Sequence, residues 1–343
     1  MTPRMGFACK YMHPDQNLSN QELKEIQGAL TERSTTVAWC NRQTQQVAEQ
    51  RLLEIVEHNW QAALRLVEYA GSLEPERRMV RLGSNQIPMA TQADWRYLWE
   101  DTSNVQAMEQ GFAQVGKRAR ELGVRLSFHP GQFCVLASDR PDVVERSIDE
   151  FEYHATVARW MGYGKTFQDF KCNVHISGKQ GAAGILAVLP KLSDVARNII
   201  TIENDEFGWG LDESIKLKDH LALVVDIHHH WVREGEYIQP HDERLEIVKE
   251  SWRGVRPVIH YSYSRDEHLP ADFDHNSLPD MQSLLAAGHK KQKLRAHSDN
   301  CPNQVANAWA LSHLSWADIM VEAKFKNLAQ QQLYQQAKAS GMI

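Results

Sequence analysis

The sequence predicts an α/β protein built as a single (β/α)8 barrel, with extended βα loops after the first and seventh strands. Three observations predict it. Short runs of β-forming residues alternate with longer amphipathic stretches along the chain, and no Pro/Gly/Ser linker divides them. Ligand-type side chains also recur just where the β-rich runs end. An open doubly wound sheet of similar element count is the alternative that the pattern alone leaves standing.

The predicted strands cover residues 5–9, 79–83, 124–128, 171–176, 199–203, 222–226, 256–261 and 317–321. Helical patterns occupy residues 47–70, 105–122, 142–161, 182–196, 242–252 and 302–313. In the first of these, Leu52, Ile55, Val56, Trp60, Leu64 and Val67 form one apolar stripe at helical spacing, and Thr44 is placed to cap it. Residues 10–44 and 264–295 form long insertions after strands one and seven, on the barrel face that carries active sites. The chain, 1–343, reads as one domain whose last residues form a peripheral helix or tail.

Hydrophobic residues at 42% and charged residues at 24% are ordinary for a globular chain, and this length buries a core without disulfides. The five cysteines are odd in number and include no CxxC pair, so neither a zinc knuckle nor a disulfide framework is suggested, and a reducing cytoplasm is expected. There is neither a signal-like N-terminus nor an apolar run of about 18 residues, so no membrane association is expected. A net charge of −6 argues against a protein that grips nucleic acid mainly through a basic surface. Bound divalent cations would reverse that sign locally. The 16 histidines stand out, so their positions decide.

Each candidate ligand lies at or just past the C-terminal end of a predicted strand. Strand three ends FHPGQF (His129), strand four VHISG (His175) and strand five TIENDE (Glu203). Strand six reads VDIHHHW (Asp226 and His229), strand seven IHYS (His260) with RAHSD (His297) in its loop, and strand eight MVEAK (Glu322). Five imidazoles and three carboxylates would therefore converge on one mouth. That donor mix suits Mn2+, Zn2+ or Fe2+ rather than an all-oxygen Mg2+ or Ca2+ site. Eight ligands exceed the need of one ion, so two or three ions are expected, with Glu203 as a bridge. Such a cluster suits phosphoryl chemistry, because it activates water and neutralises a leaving oxygen. There is no GxxxxGK[ST], GxGxxG or GxSxG motif to supply a different engine. Glu203, Glu322 and Lys324 are the expected catalytic residues, with Lys324, Lys326 and Arg81 placed to meet phosphates. Trp209 and Trp231 are expected in loops beside the site.

At these residues the chain resembles the UV damage endonuclease family and, more distantly, endonuclease IV within the xylose isomerase-like barrels. MGFAC, RLGS, FHPGQF, VHISG, TIENDE, VDIHHHW, IHYS, RAHSD and DIMVEAKFK carry the resemblance, collinear from residue 5 to 326. It implies a repair nuclease acting on damaged double-stranded DNA, 5′ of a UV photoproduct, with a trinuclear centre, Mn2+ foremost. Carried over, His129 and His175 share one ion with Glu203. Glu203, Asp226, His260 and Glu322 hold a second, and His229 and His297 a third. The family's Gln–Tyr pair, inserted into the duplex, reads Gln132 and Phe133 here. Phe7 and Tyr11 stand where the family places a Tyr and an Asn around the lesion, and Val258 where it tends to have a lysine. No obligate protein partner is implied. The rival readings are an iron- or manganese-dependent isomerase or oxidative enzyme on the same barrel, and a non-catalytic DNA-binding protein.

Overall fold

Strands covered on both faces have no solvent side, so they should read as apolar runs rather than alternating ones. Eight short segments, most of them of this kind, form parallel strands in the computed structural model, which describes residues 2–15 and 17–343. They are β1 (Met5–Ala8), β2 (Met79–Arg81), β3 (Arg125–Phe128), β4 (Lys171–His175), β5 (Ile200–Glu203), β6 (Ala222–Val224), β7 (Val258–Tyr261) and β8 (Asp318–Val321). The sheet order β6-β5-β4-β3-β2-β1-β8-β7 curls round until its two edge strands face each other. There the Asp226–His260 bridge closes the ring, and the His260 amide donates to the Val225 carbonyl at 2.9 Å. This is a (β/α)8 barrel, and every predicted strand coincides with an observed one to within two residues at either end.

The helices are α1 (Asn20–Ala29), α2 (Val37–Cys40), α3 (Gln45–Ser72), α4 (Arg96–Glu100), α5 (Thr102–Leu122), α6 (Pro141–Trp160), α7 (Gly181–Val188) and α8 (Asp194–Ile199). They continue with α9 (Leu211–Ile215), α10 (Ile227–Glu234), α11 (Glu243–Ser251), α12 (Met281–Ala286), α13 (Lys291–Leu294), α14 (Gln304–Ser312) and α15 (Asn327–Ala339). Thr44 caps α3 by accepting from the Val47 amide, and Leu52, Ile55, Val56 and Val67 are buried beneath it. Helix α5 packs on α3 through Gly111, where a Cβ would stand 2.8 Å from the Trp60 ring.

Two helical expectations need correction. The helix predicted over 182–196 is broken into α7 and α8. Pro190 sits in a 3-10 turn between them, and Ser193 caps α8 by accepting from the Ala196 amide. Trp231 lies not in a loop but inside α10, buried against Val232 and Tyr263. The long insertions contain helices, α1 and α2 after β1, and α12 and α13 after β7. Helix α15 carries Leu333 and Ala337, both fully buried, and its Gln330 donates to the Met5 and Arg77 carbonyls. No described helix is long and apolar enough to cross a membrane.

The lumen is layered. At the N-terminal end of the strands, Asp318 accepts from Arg125 at 2.8 Å and from Arg256 at 2.6 Å. Ala8, Met79, Ala222, Val224, Val258, Met320 and the Trp252 ring form an apolar plug. Above the plug the lumen turns polar, and that layer carries the site.

Candidate metal centre

The C-terminal end of the barrel gathers all eight expected ligands. Glu203, ending β5, lies at the middle, 1% exposed. One of its oxygens faces His129 Nε2 at 3.4 Å and His175 Nε2 at 3.8 Å. The other faces His260 Nδ1 at 3.0 Å and His229 Nδ1 at 3.6 Å. Glu322, after β8, approaches His260 Nδ1 at 3.1 Å and lies 3.9 Å from His297 Nδ1. Three groups have ligand atoms within 4.8 Å of one another: His129–His175–Glu203, Glu203–Asp226–His260 and His175–Glu206–His229.

Asp226 tests the fit of a cation. Its Oδ1 caps α10, accepting from the His228 and His229 amides at 2.8 and 2.7 Å. Its Oδ2 is buried with no hydrogen-bond partner among the described residues. An unpartnered buried carboxylate oxygen is costly unless a cation or proton meets it. Capping, the ordinary role of a strand-end Asp, and ligation therefore fall to different oxygens of one side chain.

The electrostatics divide the ligands: Asp226 and His229 hold their protons more tightly than usual, and His129, His260, His297, Glu203 and Glu322 less tightly. Burial pushes the Asp226 carboxyl up to about 7, reinforced by Glu203 and Glu322 and opposed by His229. Burial alone would lower His229, but the carboxylates of Asp226, Glu203, Glu206 and Glu322 raise it to about 10. Burial, helped by Lys171, holds His260 down to about 4. Burial likewise lowers His129 and His297. Against the burial penalty, His260 and His175 hold Glu203 well below the usual carboxylate range, and Arg81 does the same for Glu322.

Supporting groups fix these side chains. Asn173 donates to Glu203 and accepts from Thr201 Oγ1 at 2.8 Å. The Asn204 amide bridges the ends of β5 and β6, accepting from the Asp226 amide at 2.9 Å and donating to the Asp226 carbonyl at 3.0 Å. His175 Nδ1 stands 3.3 Å from Asp205. Orienting contacts of this kind hold ligand rings for a metal.

Lys171 is the main residue that sequence reasoning missed. It is 3% exposed at the start of β4, with Nζ 2.8 Å from His260 Nε2 across the barrel. Burial drops its pKa to about 7. Val258, where the resembled family tends to carry a lysine, lies in the apolar plug. In KCNVHISG, Lys171, Asn173 and His175 alternate, which puts all three on one face of β4. Polar residues at every second position of a central parallel strand were the signal for this missed group. Glu206, three residues past Glu203, was the other omission.

The expected DNA contacts divide. A cleft of 420 Å³ opens over the ligands, lined among others by Arg81, Gln132, His175, Glu206, Arg295 and Glu322. Phe133 projects beside it, 84% exposed. Arg81 is ion-paired with Glu322. Tyr11 is half-buried, its ring 4.7 Å from that of Tyr69. Phe7 is fully buried against Tyr69, which leaves it no surface to offer a ligand. Lys324 is exposed and is not part of the cleft lining. Lys326 is more buried, and burial lowers its pKa, with Arg81 and Glu322 among its charged neighbours. Trp209 is half-buried and donates to the Gly178 carbonyl at 2.8 Å.

The family model described as "UV-endonuclease UvdE" matches residues 3–342. A "UV DNA damage endonuclease" of Bacillus cereus (strain B4264) is 24% identical over 308 residues, covering 86% of each chain. A protein of the same name from Bacillus mycoides (strain KBAB4) is 25% identical over 309 residues, covering 87% of this chain and 86% of its own. The solved structure titled "Crystal Structure of SacUVDE" superposes with a TM-score of 0.73 at 21% identity, covering 99% of this chain and all of that one. The barrel, its collinear motifs and a match over nearly its full length place the chain in the UV-endonuclease UvdE family.

Proposed function

We propose that this protein is a metal-dependent DNA repair endonuclease that hydrolyses the phosphodiester 5′ of UV photoproducts, holding two or three divalent ions, Mn2+ foremost. The observation that carries the metal dependence is the buried, unpartnered Asp226 Oδ2 amid imidazoles and carboxylates. Family membership and the names of the curated relatives support the substrate and the reaction class.

When bound, the ions supply an activated water and neutralise charge on the phosphate and the leaving oxygen. The chain's own residues do the rest. Glu203 presents one oxygen to the His129–His175 side and the other to the His260 side, so it spaces two cation positions. His260, Asp226 and Glu322 would hold the inner ion with Glu203, and Lys171 contacts the His260 ring at Nε2. Arg81 and Lys326, next to Glu322, place positive charge where a DNA phosphate would approach. Gln132 and Phe133 stand clear of the surface at the rim. An exposed aromatic there stacks on unpaired bases and fills the gap left when a lesion is extruded.

The test is to incubate Mn2+-loaded protein with UV-irradiated and undamaged supercoiled plasmid. Preferential nicking of the irradiated plasmid, abolished by chelation, is expected. Equal nicking of both, or none of either, defeats the proposal.

A further inference from the structure

We infer that Glu206 is a ligand of the third metal position and that Arg295 opposes the filling of that position. The inference rests on the metal-centre reading above and extends it to two residues that the resemblance does not assign.

Glu206 stands in the loop after β5 with its side chain only 8% exposed. Its two oxygens face opposite charges. One lies 3.7 Å from His229 Nε2, beside the orphaned Asp226 Oδ2, which is also 3.7 Å from that nitrogen. The other accepts from Arg295 Nη1 at 2.7 Å. His229 Nδ1 lies 3.2 Å from the Asn204 carbonyl, which can only accept, so Nδ1 carries the hydrogen and Nε2 is the ligating atom. His175, whose Nε2 serves the first position, has its ligand atom within 4.8 Å of this pair, so the third position adjoins the first. Among the described residues His297 belongs to no such group of three, and its ring centroid stands 6.5 Å from that of His229. The Glu206 carboxylate is therefore placed to share an ion with His229, as near its Nε2 as Asp226 Oδ2 is.

Arg295 enters from the long insertion after β7, two residues ahead of His297. Its guanidinium rests over Phe207 at 5.4 Å and is 52% exposed, so it reaches the buried carboxylate from the solvent side. A divalent ion between Glu206 and His229 would lie within a few ångströms of this fixed positive charge. The two cations repel each other and compete for one carboxylate. At the second position Arg81 likewise pairs with Glu322, but among the described residues Arg295 touches only the Glu206 carboxylate of the third. Third-site affinity should therefore respond to Arg295, and the others should not.

Mn2+ titration of the metal-stripped full-length protein, followed by the electron paramagnetic resonance signal of free Mn2+, tests this directly. Glu206→Gln keeps the shape of the side chain. It should weaken the third equivalent by more than about tenfold while leaving the first two unchanged. Arg295→Met should tighten the third equivalent by about tenfold, and the double variant should behave like Glu206→Gln. If Glu206→Gln binds the same number of ions as the wild type with the same affinities, or if Arg295→Met weakens the third, the inference is overturned. Wild-type protein that binds no Mn2+ at all would overturn the metal-centre reading as well, so the two failures are distinct.

Discussion

Replacing Lys171 with methionine should make the metal-free protein more stable while weakening its metal binding. Lys171 is buried, its pKa falls from 10.5 to about 7, and its nearest partner is a ring nitrogen rather than a carboxylate. Between those two values the unfolded chain holds a proton that the native state does not. The burial penalty is thus full below pH 7, shrinks as the pH rises, and vanishes above 10.5. At pH 7.5 the penalty is about 4 kcal/mol. Losing the contact to His260 costs about 1 kcal/mol, which leaves a net gain of about 3 kcal/mol for Lys171→Met. For a chain of 343 residues this raises Tm by about 4 °C. Meanwhile the His260 ring loses its anchor, so the ion shared by Glu203, Asp226 and His260 should bind about 10–100-fold more weakly. Thermal melts in chelator at pH 7.5 and pH 10, with Mn2+ titration alongside, make the measurement. A lower Tm at pH 7.5, or a gain that does not shrink toward pH 10, would refute the reasoning.

Further outcomes are expected. Glu203→Gln removes the carboxylate shared by two ligand groups, so nicking of irradiated plasmid should fall on the order of a thousandfold and bound Mn2+ should drop. Near-normal activity in that variant would exclude the bridging role. Phe133→Ala truncates an exposed ring, so stability should stay within about 0.5 kcal/mol. Its preference for irradiated over undamaged plasmid should nonetheless decline. His154 and His313 are buried neutral, and burial pushes each down to about 4. The unfolded chain gains protons on both below about 6.5, so stability is full above that pH and is lost progressively down to pH 4, by about 3 kcal/mol per histidine. Urea midpoints recorded across this range should fall steeply, and less steeply in His154→Gln.

The fold was legible because most barrel strands are short apolar runs flanked by an amphipathic stretch, and that alternation lies on the surface of the sequence. The ligands were legible for a related reason, since parallel strands all point their C-terminal ends at one mouth and the motifs sit at those ends. What stayed hidden depends on distance across the lumen. Nothing in KCNVHISG says that Lys171 reaches His260 on β7 at 2.8 Å, because that contact joins opposite walls of the barrel. The helix Ile227–Glu234 was obscured by three successive histidines, which carry no apolar period, and its cap is Asp226 itself. The break at Pro190 was visible as a residue, but the pattern on either side masked it. Phe7 looked like a site residue by motif, yet its position on β1 turns it outward against Tyr69.

The barrel's ring of hydrogen bonds has one weak joint, between β6 and β7, and the two residues that bridge it, Asp226 and His260, belong to one candidate ligand group. An ion held by both would clasp the hoop at the place where the backbone ladder is thinnest. Loading the centre would then also finish the wall that surrounds it. Stripped of its ions, the protein should breathe at that joint before anywhere else in the sheet, with faster hydrogen exchange at the His260 amide than at strands on the far side.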